Sequence, residues 1–164
     1  MRAIVPSSVP LLIVLTLTGC EIDGVFGTSP GDELGDARER WDNHLVETYE
    51  IDFHRSSCEC PPESTTPVRI RVNTNVIESG VQLPDSVTLP SEQLDLYLTV
   101  EQLFDRIEEV IEGDPYSLVA EYDTEFGFPL SVSWDQDSVV ADDEVQFTMG
   151  NLLVLTTFPK NPSP

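Results

Sequence analysis

Two cysteines and a histidine have the residue types and spacing that suit metal or redox chemistry. Cys58 and Cys60 are separated by Glu59 alone, and His54 precedes them. If one extended strand ran through residues 49–60, His54 and both cysteines would share a face, because alternate residues of a strand point the same way. Two thiolates and an imidazole suit Zn(II) or Cu(I), although a structural zinc site takes about four ligands. A metal site is therefore one interpretation of these residues.

A disulfide is the favoured interpretation of the Cys58–Cys60 pair. In an extended strand the two α-carbons would lie about 6.6 Å apart, close to the upper limit of about 6.8 Å for a disulfide. Such a bridge requires a kink in the chain and would be strained and easily reduced. A redox role requires a reactive thiolate near positive charge. Glu59 argues against that role, although Arg55 is close in sequence.

A cluster of carboxylates near the end of the chain has the composition of a calcium site. Ca²⁺ takes about six to eight oxygen ligands. The spacing does not match an EF-hand loop, which also needs a central glycine. An exposed hairpin turn is the alternative, because carboxylates are common in turns. The candidate ligands are Asp135, Asp137, Asp142, Asp143 and Glu144.

The third cysteine, Cys20, follows a short apolar run, and the basic Arg2 precedes that run. This order is typical of a secretory signal peptide, and residues 11–17 are too few to span a bilayer. The segment Leu17-Thr18-Gly19-Cys20 resembles a bacterial lipobox. That resemblance implies cleavage before Cys20, acylation of its side chain and attachment to a membrane outside the cytoplasm. Glu21 in place of aspartate favours the outer membrane, facing the periplasm or the cell surface.

The charge of the chain limits its partners. It contains 30 acidic and 8 basic residues, with a net charge of −22. Such a chain repels nucleic acid and anionic headgroups, so we expect no nucleic-acid partner. No serine lies in a Gly-x-Ser-x-Gly segment, and no glycine-rich phosphate loop is present. We therefore expect no enzymatic activity and no cofactor.

Hydrophobic periodicity predicts the elements that must position these side chains. Helices are predicted over residues 36–45 and 99–111, the second with a capping box at Thr99 and Gln102. Gly113 is predicted to end that helix in a left-handed conformation. Arg69 and Arg71 are predicted to pair with Glu50 and Asp52 on neighbouring strands. Strands are predicted over 49–53, 68–72, 76–81, 117–123, 130–134 and 144–149, with a loop over 83–90.

This order of elements predicts an α+β fold, with two helices packed on one face of an antiparallel sheet of about five to six strands. We expect residues 1–19 to be the signal peptide and 20–35 to be a flexible tether that begins with the acylated Cys20. Residues 36–158 are predicted to form a single domain, and 159–164 a disordered tail.

Several motifs together resemble an uncharacterised bacterial family that includes many lipoproteins, the domain of unknown function number 6174. The resemblance covers residues 36–150. It implies the architecture and location given above, but no activity. The motifs are Trp41, Tyr49, Cys58-Glu59-Cys60-Pro61, Val68 and Val72, the 99–111 helix, Tyr122-Asp123, Phe126-Gly127-Phe128-Pro129, Asp135 and Asp142-Asp143-Glu144.

The expected function is therefore that of a binding module. We expect a domain attached to the membrane by its lipid that binds a protein, peptide or other component of the cell envelope. The alternatives are a metal or redox site at the cysteine pair and a domain stabilised by Ca²⁺. The sequence does not name the ligand or the oligomeric state.

Overall fold

The computed structural model describes residues 28–56, 65–137, 139 and 144–159. Seven antiparallel strands form one sheet in the order β4-β3-β2-β1-β7-β6-β5. The helices are α1 (Pro30–Asn43) and α2 (Val100–Glu112), and a 3-10 helix spans Ser91–Leu96. The strands are β1 (Val46–Ser56), β2 (Val68–Asn73), β3 (Val76–Gln82), β4 (Val87–Thr88), β5 (Ser117–Tyr122), β6 (Pro129–Asp135) and β7 (Val145–Thr157).

The core lies between the helices and one face of the sheet. Tyr49, Ile51 and Phe53 of β1 are buried and lie opposite the buried apolar residues of β2. Because strand residues alternate between faces, the residues between them point to the other, solvent-facing side. The apolar residues of both helices complete the same core; they are Leu34, Ala37 and Trp41 of α1, and Val100, Leu103, Phe104, Ile107 and Val110 of α2.

The sheet corrects the predicted fold class. The expectation of about five to six strands is wrong, because the antiparallel sheet has seven and is richer in strand than predicted. The missed strand is β4, which has two residues, Val87 and Thr88. It lies in the segment 83–90, which was predicted to be a loop because two residues are too few to show an alternating pattern.

Strand β7 is longer than predicted because its hydrophobic pattern changes phase. Before Gly150, Phe147 and Met149 are buried in the core. After Gly150, Leu152 and Val154 pack against the core. A register shift in the pairing of β1 with β7 lies there, and Asn151 has a φ of 52°. An extra residue in one strand produces such a bulge and reverses which residues face inward. The pattern over 144–149 therefore predicts only the first half of the strand.

Helix α1 begins before the predicted boundary. Ser29 accepts a hydrogen bond from the Asp32 N–H at 3.1 Å, and Pro30 occupies the first turn, where a proline costs no hydrogen bond. Residues 30–35 are helical, and Leu34 is buried. The prediction that 20–35 is a flexible tether is therefore wrong for residues 30–35. The helix ends at Asn43, two residues before the predicted end.

Helix α2 confirms the predicted capping box and corrects its predicted end. The Thr99 side chain accepts from the Gln102 N–H at 3.1 Å, and the Gln102 side chain accepts from the Thr99 N–H at 3.0 Å. Gly113 has a right-handed conformation with φ −75°, so its predicted left-handed conformation is wrong. The next residue, Asp114, has the positive φ, 52°. Aspartate tolerates this region because its short polar side chain bonds locally.

The turn between β5 and β6 packs closely against α1. Asp123 accepts hydrogen bonds from the N–H groups of Glu125 and Phe126, and Gly127 has a φ of 88°. A Cβ at Gly127 would collide with the carbonyl oxygen of Ala37 and lie 2.9 Å from the Arg40 Cβ. The Phe126-Gly127-Phe128-Pro129 motif therefore needs glycine both for its backbone angle and for its contact with the helix.

We predict that Gly127→Ala lowers the free energy of unfolding by at least about 2 kcal/mol, since it adds both left-handed strain and a backbone clash. Urea denaturation followed by circular dichroism measures this change. Gly35→Ala is the matched control, because a Cβ at Gly35 meets nothing within 4 Å and lies in a helix. The control should stabilise the chain by about 0.5–1 kcal/mol. Equal midpoints for the Gly127→Ala variant and the wild type would contradict this account.

Candidate functional site

The solvent-facing side of the sheet contains the predicted ion pairs. Arg69 donates two hydrogen bonds to the Asp52 carboxylate, at 2.7 and 3.0 Å. Hydrogen bonding to Asp52 raises the pKa of Arg69 above its usual value. Arg71 donates to Glu50 at 3.4 Å. Both arginines are exposed, so each pair contributes about 1 kcal/mol or less. The predicted cross-strand pairing is confirmed, and it satisfies these arginines within the sheet.

Trp41 and Tyr49 belong to a hydrogen-bonded cluster with Glu101. The Trp41 Nε1–H donates to Glu101 Oε1 at 3.1 Å, and the Tyr49 hydroxyl donates to Glu101 Oε2 at 3.2 Å. The Tyr49 hydroxyl also accepts from the Val100 N–H at 2.9 Å. Burial, and then the charge of Glu101, raise the Tyr49 pKa well above its usual value. The cluster joins β1, α1 and α2, so its role is structural.

The predicted cysteine sites fall mostly outside the described residues. Cys20, Cys58 and Cys60 lie outside them, so the lipid, disulfide, redox and metal hypotheses for these residues remain predictions. His54 is described: it lies in β1 opposite Thr148 of β7, on the face away from Phe53. Among the described residues, no group of three or more His, Cys, Asp or Glu side chains is placed to hold a metal ion.

The described part of the predicted calcium site shows turn interactions. Asp135 accepts from the Asp137 N–H at 3.1 Å, and Asp137 accepts from the Val139 N–H at 3.0 Å. These bonds are typical of Asx turns, in which a carboxylate caps the backbone two residues ahead. Asp142 and Asp143 lie outside the described residues, and Glu144 directly precedes β7. The calcium hypothesis therefore remains a prediction.

A groove of about 480 Å³ lies beside α2 on the helix-covered face. The strap, which we define as residues 95–98 between the 3-10 helix and α2, forms one wall with Leu96 and Leu98. Arg55 at the end of β1 and Phe147 of β7 form the floor and are paired across the two strands. The exposed side of α2 forms the other wall, with Gln102, Asp105, Arg106 and Glu109.

Two arginines of the groove pack on aromatic rings but differ in their charge partners. Arg55 lies over Phe147 at 5.5 Å, and Arg106 lies over Trp134 at 5.6 Å. Arg106 donates to Glu109 at 2.8 Å. Arg55 makes no ion pair with a described residue, and its buried Nε has no hydrogen-bond partner. Arg55 therefore lines an open groove without a described charge partner, and the donors it can offer there are its terminal NH2 groups, because its Nε is buried.

The other side of the strap borders a second cavity, of about 310 Å³, which is lined in part by Tyr97. Tyr97 is only 3% exposed, and its ring packs edge-on against Phe53 at 5.6 Å. Its hydroxyl is buried without a hydrogen-bond partner among the described residues, and burial raises the pKa of Tyr97. Asp95, Leu98 and Gln102 line both cavities, so the strap separates two adjoining openings.

Sequence reasoning did not predict this groove. Arg55 was considered only for its effect on Cys58, and Asp95, Leu96, Leu98 and Arg106 were not singled out as site residues. The groove requires the strap and α2 to lie beside the end of β1, a juxtaposition that no local pattern encodes. The available signal is compositional: basic residues are few beside the 30 acidic ones, and their positions limit where an anion could bind.

The fold and the groove define a two-layer domain, in which an antiparallel sheet supports two helices on one face and an open groove lies beside the second helix. A family model described as "Family of unknown function (DUF6174)" matches residues 33–154. The chain therefore belongs to the DUF6174 family, and the predicted family resemblance is confirmed. No curated protein and no solved structure matches the sequence. No helix among the described residues is long and apolar enough to cross a membrane.

We predict that the chain loses stability as the pH rises above about 10, because tyrosines in the unfolded chain ionise there. Burial raises the pKa of Tyr122 to about 12, and it raises those of Tyr49 and Tyr97 too. The stability that these tyrosines contribute is complete below about pH 10, and it is lost as the pH rises through their pKa values in the folded chain. The urea midpoint, measured at increasing pH, should fall over this window.

Tyr122→Phe should reduce that loss, since phenylalanine does not ionise. Tyrosinate absorbance gives an independent check: three tyrosines of the folded chain should titrate later than those of the chain in denaturant. Superimposable titration curves for the two states would contradict the prediction.

Proposed function

We propose that this protein is a lipid-anchored domain of the bacterial cell envelope that binds a protein or peptide partner through the groove beside α2, without catalysing a reaction. Cys20 would be acylated and would attach the domain to the outer membrane, facing the periplasm or the cell surface. The lipobox-like Leu17-Thr18-Gly19-Cys20 supports this location.

The observation that carries the binding role is the state of Arg55. In a chain with 30 acidic residues and 8 basic ones, an arginine is expected to find a carboxylate. Arg38, Arg69, Arg71 and Arg106 each do so. Arg55 instead lines the groove, with no described ion-pair partner. A donor held in place on a ring and left unpaired is suited to recognise an external acceptor.

The chemistry of the groove favours binding over catalysis. Its described lining residues include no serine, cysteine or histidine, the usual nucleophiles and general bases. Its carboxylates Asp105 and Glu109 face arginines, at 3.1 and 2.8 Å respectively. Apolar surface from Leu96, Leu98 and Phe147 lies next to these polar groups. Apolar walls with a few oriented polar groups are typical of ligand-binding sites.

We predict that Cys20→Ser releases the protein from the membrane when the full chain is expressed in a Gram-negative bacterium. The wild type should fractionate with the membrane, because two or more acyl chains give stable attachment. The variant, which lacks the acylated thiol, should be extracted without detergent. Immunoblots of the fractions and the intact mass of the purified protein measure both results. An unmodified wild type in the cytosol would refute the proposed location.

We predict that a photo-crosslinking amino acid at Leu96 captures an envelope partner in intact cells. Leu96 lines the groove and is 46% exposed. The same amino acid at Val119 is the matched control, because Val119 is 61% exposed in the edge strand β5, away from the groove. The crosslinked band should appear from Leu96 alone and disappear in the Arg55→Met background. Equal bands from both positions, or no band from Leu96, would refute an envelope partner at the groove.

A further inference from the structure

We infer that the groove binds the C-terminal end of a polypeptide chain, with Arg55 holding the terminal carboxylate and Asp95 accepting a backbone N–H from the same chain end. Leu96 and Leu98 would contact the last side chain. This inference rests on the proposed function and names the chemical class of its partner.

Arg55 is the group that selects for a carboxylate. Its guanidinium is oriented by Phe147, 5.5 Å away, and it forms no ion pair or hydrogen bond with the described part of the chain. A planar guanidinium presents parallel N–H groups that match the two oxygens of a carboxylate. A neutral ligand has no pair of charged oxygens to accept hydrogen bonds from both N–H groups.

The described carboxylates that line the groove are not paired with Arg55, so its guanidinium can bind one external anion. Asp105 and Glu109 line the groove but are paired with Arg38 and Arg106. Neither is therefore a competitor for the Arg55 guanidinium. Asp95 is the groove carboxylate that bonds to no described residue. Among the residues that the structure describes, the groove thus contains one arginine and one carboxylate that are not paired with another side chain.

This donor–acceptor pair favours a peptide end over a fatty acid. A peptide terminus supplies a carboxylate and the amide N–H of the same last residue. A fatty acid supplies the carboxylate alone and would leave Asp95 unpaired. The groove volume of about 480 Å³ falls within the range of small-ligand sites, roughly 300–1,000 Å³. Leu96 and Leu98 provide apolar surface for one side chain.

The acidic surface adds a second element of selectivity. The net charge of −22 repels a partner that is acidic along its length. Charges further from the groove than the Debye length, about 8 Å at physiological salt, are largely screened. A carboxylate at Arg55 is therefore compatible with this surface, and we expect basic residues upstream of the bound terminus.

Three small probes test the inference on the full chain in nonionic detergent, with tryptophan fluorescence and calorimetry as readouts. N-acetyl-leucine has the carboxylate, the amide N–H and an apolar side chain. Its amide, N-acetyl-leucinamide, lacks the carboxylate, and 4-methylpentanoate lacks the N–H. N-acetyl-leucine should bind with a Kd on the order of 1 mM. The amide should bind at least about 10-fold more weakly, and 4-methylpentanoate should be intermediate.

Arginine variants separate the charge of Arg55 from general effects. Arg55→Met should weaken N-acetyl-leucine binding at least about 10-fold, and Arg55→Lys should retain part of it. Arg71→Met is the control, because Arg71 is paired with Glu50 on the solvent-facing side of the sheet, outside the groove. It should change the Kd by less than about 3-fold. Asp95→Ala should abolish the preference for N-acetyl-leucine over 4-methylpentanoate while leaving Arg55 intact.

Each outcome decides the inference. Equal binding of acid and amide would overturn carboxylate recognition, and tighter binding of 4-methylpentanoate would assign the groove to a fatty or organic acid. No binding of any probe, together with a Leu96 crosslink that requires Arg55, would reject the peptide terminus but keep the proposed function. Selective binding of N-acetyl-leucine without any crosslink in cells would support the groove chemistry and reject the envelope partner.

Discussion

The hydrogen bonds of the Tyr49 hydroxyl are the interaction on which the arrangement of this domain depends. The hydroxyl accepts from the Val100 N–H, at the first residue of α2, where no helical carbonyl is available. It donates to Glu101, which also accepts from Trp41 of α1. One buried side chain of the central strand therefore fixes the start of α2 and, through Glu101, ties it to α1. Losing this hydroxyl would leave the buried Val100 N–H unpaired, at about 1–3 kcal/mol, and would remove one of the hydrogen bonds to Glu101.

That constraint also determines where the groove lies. Tyr49 and Arg55 are six residues apart in β1, which corresponds to about 20 Å along a strand. With the start of α2 held over Tyr49, the strap that precedes the helix passes over Phe53 and places Tyr97 against it. The exposed side of α2 then faces Arg55 and Phe147. The start of α2 is fixed to β1 at Tyr49, and Arg55 lies at the other end of β1. The groove lies between that end of β1 and the exposed side of α2.

Local sequence signals predicted some of these features well, and features that depend on tertiary contacts were missed. The capping box of α2 and the pairing of Arg69 and Arg71 follow from spacing alone, because both involve near neighbours in a helix or a sheet. The start of α1 was misjudged because Gly31 and Gly35 suggest a flexible segment. Burial of Leu34 outweighs that local preference. The phase change in β7 and the positive φ of Asp114 likewise depend on packing that no short pattern records.

The two arginines without described ion pairs show why lack of a partner does not by itself define a site. The Nε atoms of Arg40 and Arg55 are both buried, and neither donates a hydrogen bond to the described part of the chain. Arg40, however, lies under the turn at Gly127, and its Cβ is within 2.9 Å of where a Cβ of that residue would stand. Its aliphatic stem is therefore used in packing, which is a common role of long charged side chains. Arg55 faces an opening beside apolar side chains and an unpaired carboxylate, and this environment distinguishes a binding group from a packing group.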